Sequence, residues 1–187
     1  MWSKAMRFLK KRRLRKREER NKTDTICIRR ATEQDIDALM GLYDEFHRFH
    51  VVGVPDRLRI SEPSTPTEQA ALSESLSAIL HREDAAMVVV VVGDHVVGLA
   101  EVYVHQDEPH PLVVPHRYSH LQSLIISASV RKQGLGRLLV EAAHHWAKER
   151  GATEMQLDIW EFEAGPLHFY KHLGYRTLKR HLLIDLG

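Results

Sequence analysis

A short basic turn with two glycines constrains this chain more than any other feature. The turn, RKQGLGR at residues 131–137, follows an apolar run at 121–126 and precedes apolar residues at helical spacing. In this arrangement of strand, turn and helix, backbone N–H groups and the helix dipole can face an anion. Gly134 and Gly136 allow close backbone approach, while Arg131, Lys132 and Arg137 add positive charge. The sequence therefore predicts an α/β chain with a phosphate or pyrophosphate site at this turn.

Two common phosphate-binding motifs are excluded. The turn lacks the G-x-x-x-x-G-K-[ST] pattern of a P-loop. It also lacks the third glycine of the dinucleotide fingerprint, which would fall at Leu139. The anion is therefore expected to be bound in another structural context.

A second motif occupies residues 160–175, WEFEAGPLHFYKHLGY. It is typical of a strand end, a short helix and an F-Y-x-x-L-G-[FY] ending. Together with Arg131-x-x-Gly134-x-Gly136, it resembles the GNAT superfamily of N-acetyltransferases. The resemblance extends from Leu121 to the C-terminus, and residues 26–104 are compatible with it.

Hydrophobic spacing and turn residues predict ten elements in the order β-α-α-β-β-β-α-β-α-β. Helices are expected after capping residues Thr32 and Thr65, from Leu135, and from Pro166. The expected strands are 26–30, 87–92, 95–104, 118–127, 155–159 and 175–184. The resemblance implies an α/β GNAT fold: a mixed, strongly twisted sheet of six to seven strands, about four flanking helices, and a V-shaped splay between central strands. This domain would span residues 23–187, behind a basic extension at 1–22 that is disordered or helical.

The resemblance also implies an acetyl-CoA site, with acetyl-CoA as co-substrate. Leu124, Ile125 and Ile126 would line the pantetheine and acetyl group, and the backbone of residues 133–137 would hold the pyrophosphate. The implied binding residues are Leu124, Ile125, Ile126, Arg131, Lys132, Gln133, Gly134, Leu135, Gly136 and Arg137.

The implied chemistry is direct attack of a neutral amine on the thioester, which needs a proton acceptor and a proton donor for the thiolate. Tyr170 stands where the family often has a tyrosine near the sulfur, and we expect it to be the general acid. Many relatives carry a carboxylate where this chain has Gln122 and Ser123. Glu101 is therefore the favoured base, and Asp158, Glu161 and His120 are alternatives.

No metal is expected, although the chain contains thirteen histidines. His168 and His172 have the only suggestive spacing, i and i+4, and no cysteine or carboxylate motif accompanies them.

Charge is unevenly distributed along the chain. Residues 1–22 contain eleven Lys and Arg against two Glu, whereas the other 165 residues contain sixteen against twenty-three Asp and Glu. The basic segment could contact a polyanion weakly, and the acidic remainder would favour a cationic acceptor through long-range attraction. The lone Cys27 and the lack of a membrane-length apolar run favour a cytoplasmic protein without a transmembrane segment.

The leading hypothesis is an N-acetyltransferase that transfers the acetyl group of acetyl-CoA to a primary amine of a small molecule or protein. Residues 46–67 and 105–117 would shape the acceptor site, but the sequence does not identify the amine. One alternative is a degenerate acyl-CoA-binding module that acts as a sensor or scaffold. Another is a nucleic-acid- or ribosome-associated protein that uses its basic arm. A homodimer is left open.

Overall fold

A computed structural model describes residues 25–60 and 64–186, and within these ranges it contains five strands and four α-helices. The basic extension predicted at residues 1–22 lies outside the described residues. The elements are β1 (Ile26–Arg30), α1 (Ile36–Gly53), α2 (Pro66–Leu80), β2 (Ala85–Val92), β3 (His95–Gln106), β4 (Arg117–Ile126), α3 (Leu135–Glu149), β5 (Glu154–Gln156) and α4 (Leu167–His172).

The strands form one mixed sheet in the order β1-β2-β3-β4-β5. The first three pairings are antiparallel, and β5 is parallel to β4. β4 and β5 pair only from Tyr118–Glu154 to His120–Gln156, after which β4 continues to Ile126 with β3 as its one strand neighbour among the described residues. The sheet therefore opens beside the C-terminal half of β4, directly before the glycine turn.

Helices cover both faces of the sheet because strand side chains alternate between them. On the first face, Val88, Ala100 and Val102 pack with residues of α3 and α4. On the second face, Val89 and Leu99 pack with residues of α1 and α2. The turn at residues 131–137, here called the anion turn after its predicted ligand, thus lies between β4 and α3, a helix of the first face.

A β-bulge at Gln122 interrupts the pairing of β3 with β4. Glu101 is opposite Ser123, but the next residue, Val102, is opposite Leu121, so that Gln122 has no partner. As a consequence, His120 is opposite Tyr103, and Tyr118 is opposite His105. The bulge therefore keeps the Leu121 side chain in the core of the first face. It also places the rings of Tyr103, His105, Tyr118 and His120 on the second face, the same face as Glu101.

The predicted helix boundaries have clear local causes. Thr65 and Glu68 form a reciprocal capping box at the start of α2, with N–H to oxygen distances of 2.7 and 3.3 Å. Gly134 and Gly151 flank α3 with φ of +84° and +78°, a left-handed conformation that favours glycine. The α1 helix continues to Gly53, and Val51 near its end and Val54 after it are buried.

The predicted count of six to seven strands is wrong for the described residues, which form five. The expected strand at 155–159 is shortened to Glu154–Gln156, because the chain diverges from β4 after that point. The expected strand at 175–184 does not form, and every residue from Arg176 to Leu186 is exposed. None of the helices within the described ranges has the length and apolar character needed to cross a bilayer.

Candidate active site

The N-terminus of α3 is open to an anion. Gly134 occupies the N-cap position and provides no side-chain cap, and a Cβ there would meet no atom within 4 Å. The first N–H groups of a helix have no intrahelical acceptors, so those of Leu135 and Gly136 can serve a ligand. Lys132, Gln133 and Arg137 are exposed around the turn, whereas the Leu135 side chain is buried. The free backbone N–H groups and the exposed positive side chains at this turn therefore suit the binding of a phosphate group.

Gly136 has a different role from Gly134. A Cβ on Gly136 would lie 3.3 Å from Phe169 Cζ and 3.7 Å from Ile126 Cγ1. The start of α3 is thus packed closely against both α4 and the end of β4. A Cβ at position 136 would therefore require a small shift of the Phe169 ring.

Arg131 is tied to α1 rather than left free. Its Nε donates to the Ile126 carbonyl at 2.8 Å, and its Nη2 lies 3.0 Å from Glu45 Oε1. The same Glu45 oxygen accepts a 2.6 Å hydrogen bond from the backbone N–H of Ala128, and the Arg131 guanidinium lies over the Phe49 ring at 5.3 Å. Arg131 therefore links the turn to α1, and Glu45 is a site residue that the sequence analysis missed.

The three predicted pantetheine residues divide between the two faces of the sheet. Leu124 and Ile126 are half-buried against the core of the first face. Ile125 is buried in the core of the second face. Only their backbone groups share the opening beside β4.

Glu101 is buried and lies at the centre of a hydroxyl network. Its carboxylate accepts hydrogen bonds from Tyr43 Oη and Tyr103 Oη, each at 2.6 Å, and from Ser123 Oγ at 3.0 Å. Burial and the nearby carboxylate raise the pKa of Tyr43 and of Tyr103, so both phenols remain protonated donors. Ser123, one of the two positions at which the resemblance implies a carboxylate, thus contacts a carboxylate from the neighbouring strand.

The alternative bases have different surroundings. Asp158 and Glu161 are both exposed. His120 is half-buried, and burial lowers the pKa of its imidazole. Of these candidates, only Glu101 is a buried carboxylate with protein donors.

Four rings extend from Glu101 along the second face, and we call them the ring strip: Tyr103, His105, Tyr118 and His120. The centroid of His105 lies 6.3 Å from that of Tyr103, 5.3 Å from that of Tyr118 and 6.5 Å from that of His120. The Arg82 guanidinium lies 5.4 Å from the Tyr103 centroid. The strip provides aromatic surface beside the buried carboxylate.

Tyr170 lies in α4, on the first face and therefore on the opposite side of the sheet from Glu101. Its ring is buried, with Phe169 and Tyr175 centroids at 5.2 and 5.5 Å. Within residues 25–60 and 64–186 its hydroxyl has no hydrogen-bond partner, whereas Tyr175 Oη lies 2.8 Å from His144 Nε2. Burial raises the pKa of Tyr170, so its phenol is protonated over the neutral range.

The histidine pair of α4 forms a local contact. The His168 and His172 rings lie 4.0 Å apart, and His172 Nδ1 is 2.8 Å from the His168 carbonyl. Among the described residues, no group of three or more His, Cys, Asp or Glu side chains could hold a metal ion.

The fold and the turn agree with the family to which the sequence matches. The model of the acetyltransferase (GNAT) family matches residues 39–175, and the chain belongs to this family. It is 33% identical over 92 residues to an aminoglycoside N(6')-acetyltransferase type 1 of Klebsiella aerogenes, a match that covers 48% of this chain and 58% of the relative. It is 32% identical over 81 residues to N-alpha-acetyltransferase 80 of Mus musculus, with coverage of 43% and 22%. These matches thus span less than two thirds of either relative.

Solved structures share the fold. A mutant of the BH1408 protein from Bacillus halodurans superposes with a TM-score of 0.77 at 24% identity, over 86% of this chain and 99% of that one. Aminoglycoside N-acetyltransferase AAC(6')-Iy in complex with CoA superposes with a TM-score of 0.64 at 16% identity, over 86% and 94%. At these identities the superpositions concern the fold alone.

Proposed function

We propose that this protein is an acetyl-CoA-dependent N-acetyltransferase that transfers the acetyl group directly to a primary amine. The observation that carries the proposal is the open N-terminus of α3 at Gly134, placed where β4 has lost β5 as a neighbour. At this opening, Glu101 lies on one face of the sheet and Tyr170 lies on the other face. A thioester at the opening would therefore be approachable from both faces.

The turn would bind the pyrophosphate of acetyl-CoA through the backbone N–H groups of residues 133–137. Lys132 and Arg137 are exposed beside it and would add positive charge. Arg131 would act through the turn, because its guanidinium is already bound to Ile126 and Glu45. Beyond His120 the β4 backbone has no β5 partner, and the pantetheine arm would hydrogen-bond to it in the way that an added strand does.

Glu101 would accept the proton that the attacking amine loses. A buried carboxylate has few competing waters, and the Tyr103 and Ser123 hydroxyls give two routes by which a proton could reach it. The ammonium form of the acceptor would pass one proton to Glu101 directly or through a hydroxyl or water, and the neutral amine nitrogen would then bond to the carbonyl carbon.

Tyr170 would protonate the sulfur as the carbon–sulfur bond breaks. Its hydroxyl is protonated, and the described residues leave it without a partner, so it can donate to a thiolate. The phenol would then regain a proton from solvent, while the second amine proton and the proton on Glu101 pass to solvent. The products are the N-acetylated amine and CoA with a free thiol.

The acceptor is expected to be a cationic amine compound. The ring strip provides faces that attract cations, and Glu101 and Asp158 provide negative charge near His120. Two of the similar proteins are named aminoglycoside N-acetyltransferases, which supports including an amino sugar among the acceptors to be tested. A polyamine and a lysine peptide complete the panel.

The decisive test of the binding site is titration calorimetry of Gly134→Glu with acetyl-CoA. The glutamate places bulk and negative charge at the pyrophosphate position, and we expect binding to be abolished. Gly151→Glu is the matched control, because Gly151 has a similar positive φ at the other end of α3. Unchanged affinity in folded Gly134→Glu, or an equal loss in Gly151→Glu, would refute the assignment.

The alternative of an acyl-CoA sensor is separated from the enzyme by turnover. Both bind acetyl-CoA, but only the enzyme releases a free thiol in the presence of an acceptor. Release of CoA thiol with one amine of the panel, above the rate without amine, is the expected result. Tight acetyl-CoA binding without thiol release from any amine would favour the sensor.

A further inference from the structure

Four arginines from distant parts of the chain line two adjoining cavities at one end of the sheet. The larger cavity has a volume of about 670 Å³, and Arg30, Arg82 and Arg150 contribute to its lining. The smaller cavity, of about 320 Å³, shares Glu83 and Arg150 with the larger one and adds Arg117. We call these four arginines and the space between them the arginine cleft.

The arginine cleft lies at the end of the sheet that is remote from the anion turn. Arg30 is the last residue of β1, Arg117 is the first residue of β4, and Arg150 directly follows α3. The anion turn lies beyond Ile126, the last residue of β4. This strand has ten residues, which at ~3.3 Å per residue span roughly 30 Å. A ligand in the cleft is therefore distinct from a pyrophosphate group at the anion turn.

Backbone carbonyl groups hold three of the guanidinium groups in place. Arg117 Nε donates to the Arg150 carbonyl at 2.7 Å, and Arg150 Nε donates to the Glu83 carbonyl at 3.3 Å. Arg30 Nη2 donates to the Ala85 carbonyl at 3.3 Å. Because these contacts orient the side chains before a ligand arrives, less conformational entropy is lost on binding.

The positive charge of these three arginines is not offset by an acidic partner. Within residues 25–60 and 64–186, Arg30, Arg117 and Arg150 form no ion pair. Each guanidinium has five N–H donors, and the neutral carbonyls occupy only one or two of them. Most of the N–H donors of these three side chains therefore remain available to a ligand.

Three acidic residues also line the cleft, and two of them have basic partners. Asp84 accepts hydrogen bonds from Arg82 at 2.8 and 2.6 Å. A Glu149 oxygen lies 3.2 Å from His145 Nε2 on the same helix. Glu83 is exposed, and its carboxylate forms no ion pair with the described residues. The Glu83 carboxylate therefore opposes an anion in the cleft, but its single charge is smaller than that of the three unpaired arginines.

We propose that the arginine cleft binds a small molecule that carries a phosphate or pyrophosphate group. Guanidinium groups form paired, charge-assisted hydrogen bonds with phosphate oxygens. Three unpaired guanidiniums favour an anion of two or more charges over a monovalent one. The volume of about 670 Å³ lies in the range of small-molecule sites. Binding at this site does not depend on the proposed acetyl transfer.

The test is titration calorimetry with inorganic pyrophosphate at constant ionic strength, in a Gly134→Glu background that blocks the anion turn. One pyrophosphate per chain is expected to bind. Arg30→Gln with Arg150→Gln should weaken this binding at least about tenfold, because two charged donors are lost. The matched control is Arg48→Gln with Arg57→Gln, which removes two arginines that each have an acidic partner. No binding in the Gly134→Glu background, or equal losses in the two double variants, would overturn the proposal.

A second measurement changes the charge of the cleft in the opposite direction. In the same background, Glu83→Gln removes the opposing carboxylate and should strengthen pyrophosphate binding severalfold. Glu74→Gln, a change at an exposed acid of α2, should leave the affinity as it was. Weaker binding in Glu83→Gln than in its parent would contradict an anion site. Nitrate, a monovalent anion, should bind much more weakly, and an affinity equal to that of pyrophosphate would contradict the phosphate assignment.

Discussion

Glu45 and Arg131, 86 residues apart, form an ion pair with a 3.0 Å contact between Oε1 and Nη2. The same Glu45 oxygen accepts the N–H of Ala128 at 2.6 Å, so a single α1 carboxylate holds both ends of the segment that leads into the anion turn. The position of the anion turn is therefore fixed in part by its contacts with α1.

The first prediction concerns this connection. In Glu45→Ala, Ala128 and Arg131 lose a shared acceptor, and the turn becomes less well ordered before it meets a ligand. We expect acetyl-CoA to bind about three- to tenfold more weakly, which corresponds to the loss of one or two hydrogen bonds. Titration calorimetry of Asp44→Ala provides the control, because Asp44 is exposed and, in the described part of the chain, pairs only with Arg48 on the same helix. Equal affinities in the two variants would contradict a positioning role for Glu45.

The second prediction concerns Tyr170. Tyr170→Phe should keep acetyl-CoA affinity within about twofold and lower the maximal rate by about 10²-fold or more, as loss of a general acid does. Because burial raises the pKa of Tyr170, the wild-type rate should not fall through loss of this proton below pH 10. Stopped-flow thiol release and its pH profile measure both effects. Equal rates for the two proteins at every pH would remove the general-acid assignment.

The third prediction concerns Glu101. Glu101→Gln preserves the shape of the side chain but cannot take up a proton from the amine. The rate at neutral pH should fall by about 10²-fold, and the loss should shrink at high pH, where the amine is already neutral in solution. Acetyl-CoA affinity serves as the internal control and should not change. A loss of the same size at every pH would instead indicate a structural role, in which the carboxylate only anchors Tyr43, Tyr103 and Ser123.

The fourth prediction concerns stability. Arg29 donates to both oxygens of Asp35, at 2.7 and 2.8 Å, and lowers the pKa of this buried carboxyl from 3.8 to about 2. Because the folded pKa is below the unfolded one, the contribution is present above pH 4 and is lost as pH falls toward 2. The free energy of unfolding of Asp35→Asn should be lower by roughly 1–2 kcal/mol at pH 7, allowing for the partly exposed Arg29.

Urea denaturation of wild type and Asp35→Asn between pH 7 and pH 2 measures this stability difference, which should shrink at the acidic end. Asp37→Asn, an exposed neighbour in the first turn of α1, should be close to wild type throughout. A difference that stays constant across the whole range would show that the ion pair does not account for it.

Local patterns in the sequence predicted most elements. The two motifs indicated the family, and the continuous apolar run at 87–92 and the spacing after Leu135 correctly predicted β2 and α3. The capping residue Thr65 marked the start of α2. Such signals succeed because the side chain and the backbone geometry that it favours belong to the same short segment. The roles of Tyr170, Glu101 and the acetyl-CoA residues stay predictions.

Other features depend on residues that are distant in sequence. Glu101 was a candidate among several carboxylates until the fold brought Tyr43, Tyr103 and Ser123 to it from three elements. The four rings align only because the bulge at Gln122 shifts the register of β4 by one residue. No local pattern could show that Arg131 meets Glu45 rather than solvent.

The sequence by itself determined the family, the position of the basic glycine turn and the layered α/β order, because periodicity, caps and glycine positions act over a few residues. Only the tertiary structure decided that β5 is three residues long, that residues 176–186 form no strand and that Glu101 is the buried carboxylate among the candidate bases. These outcomes depend on which strand remains beside which and on what covers each face. Packing and strand register, rather than local conformational preference, decide which distant segments become neighbours.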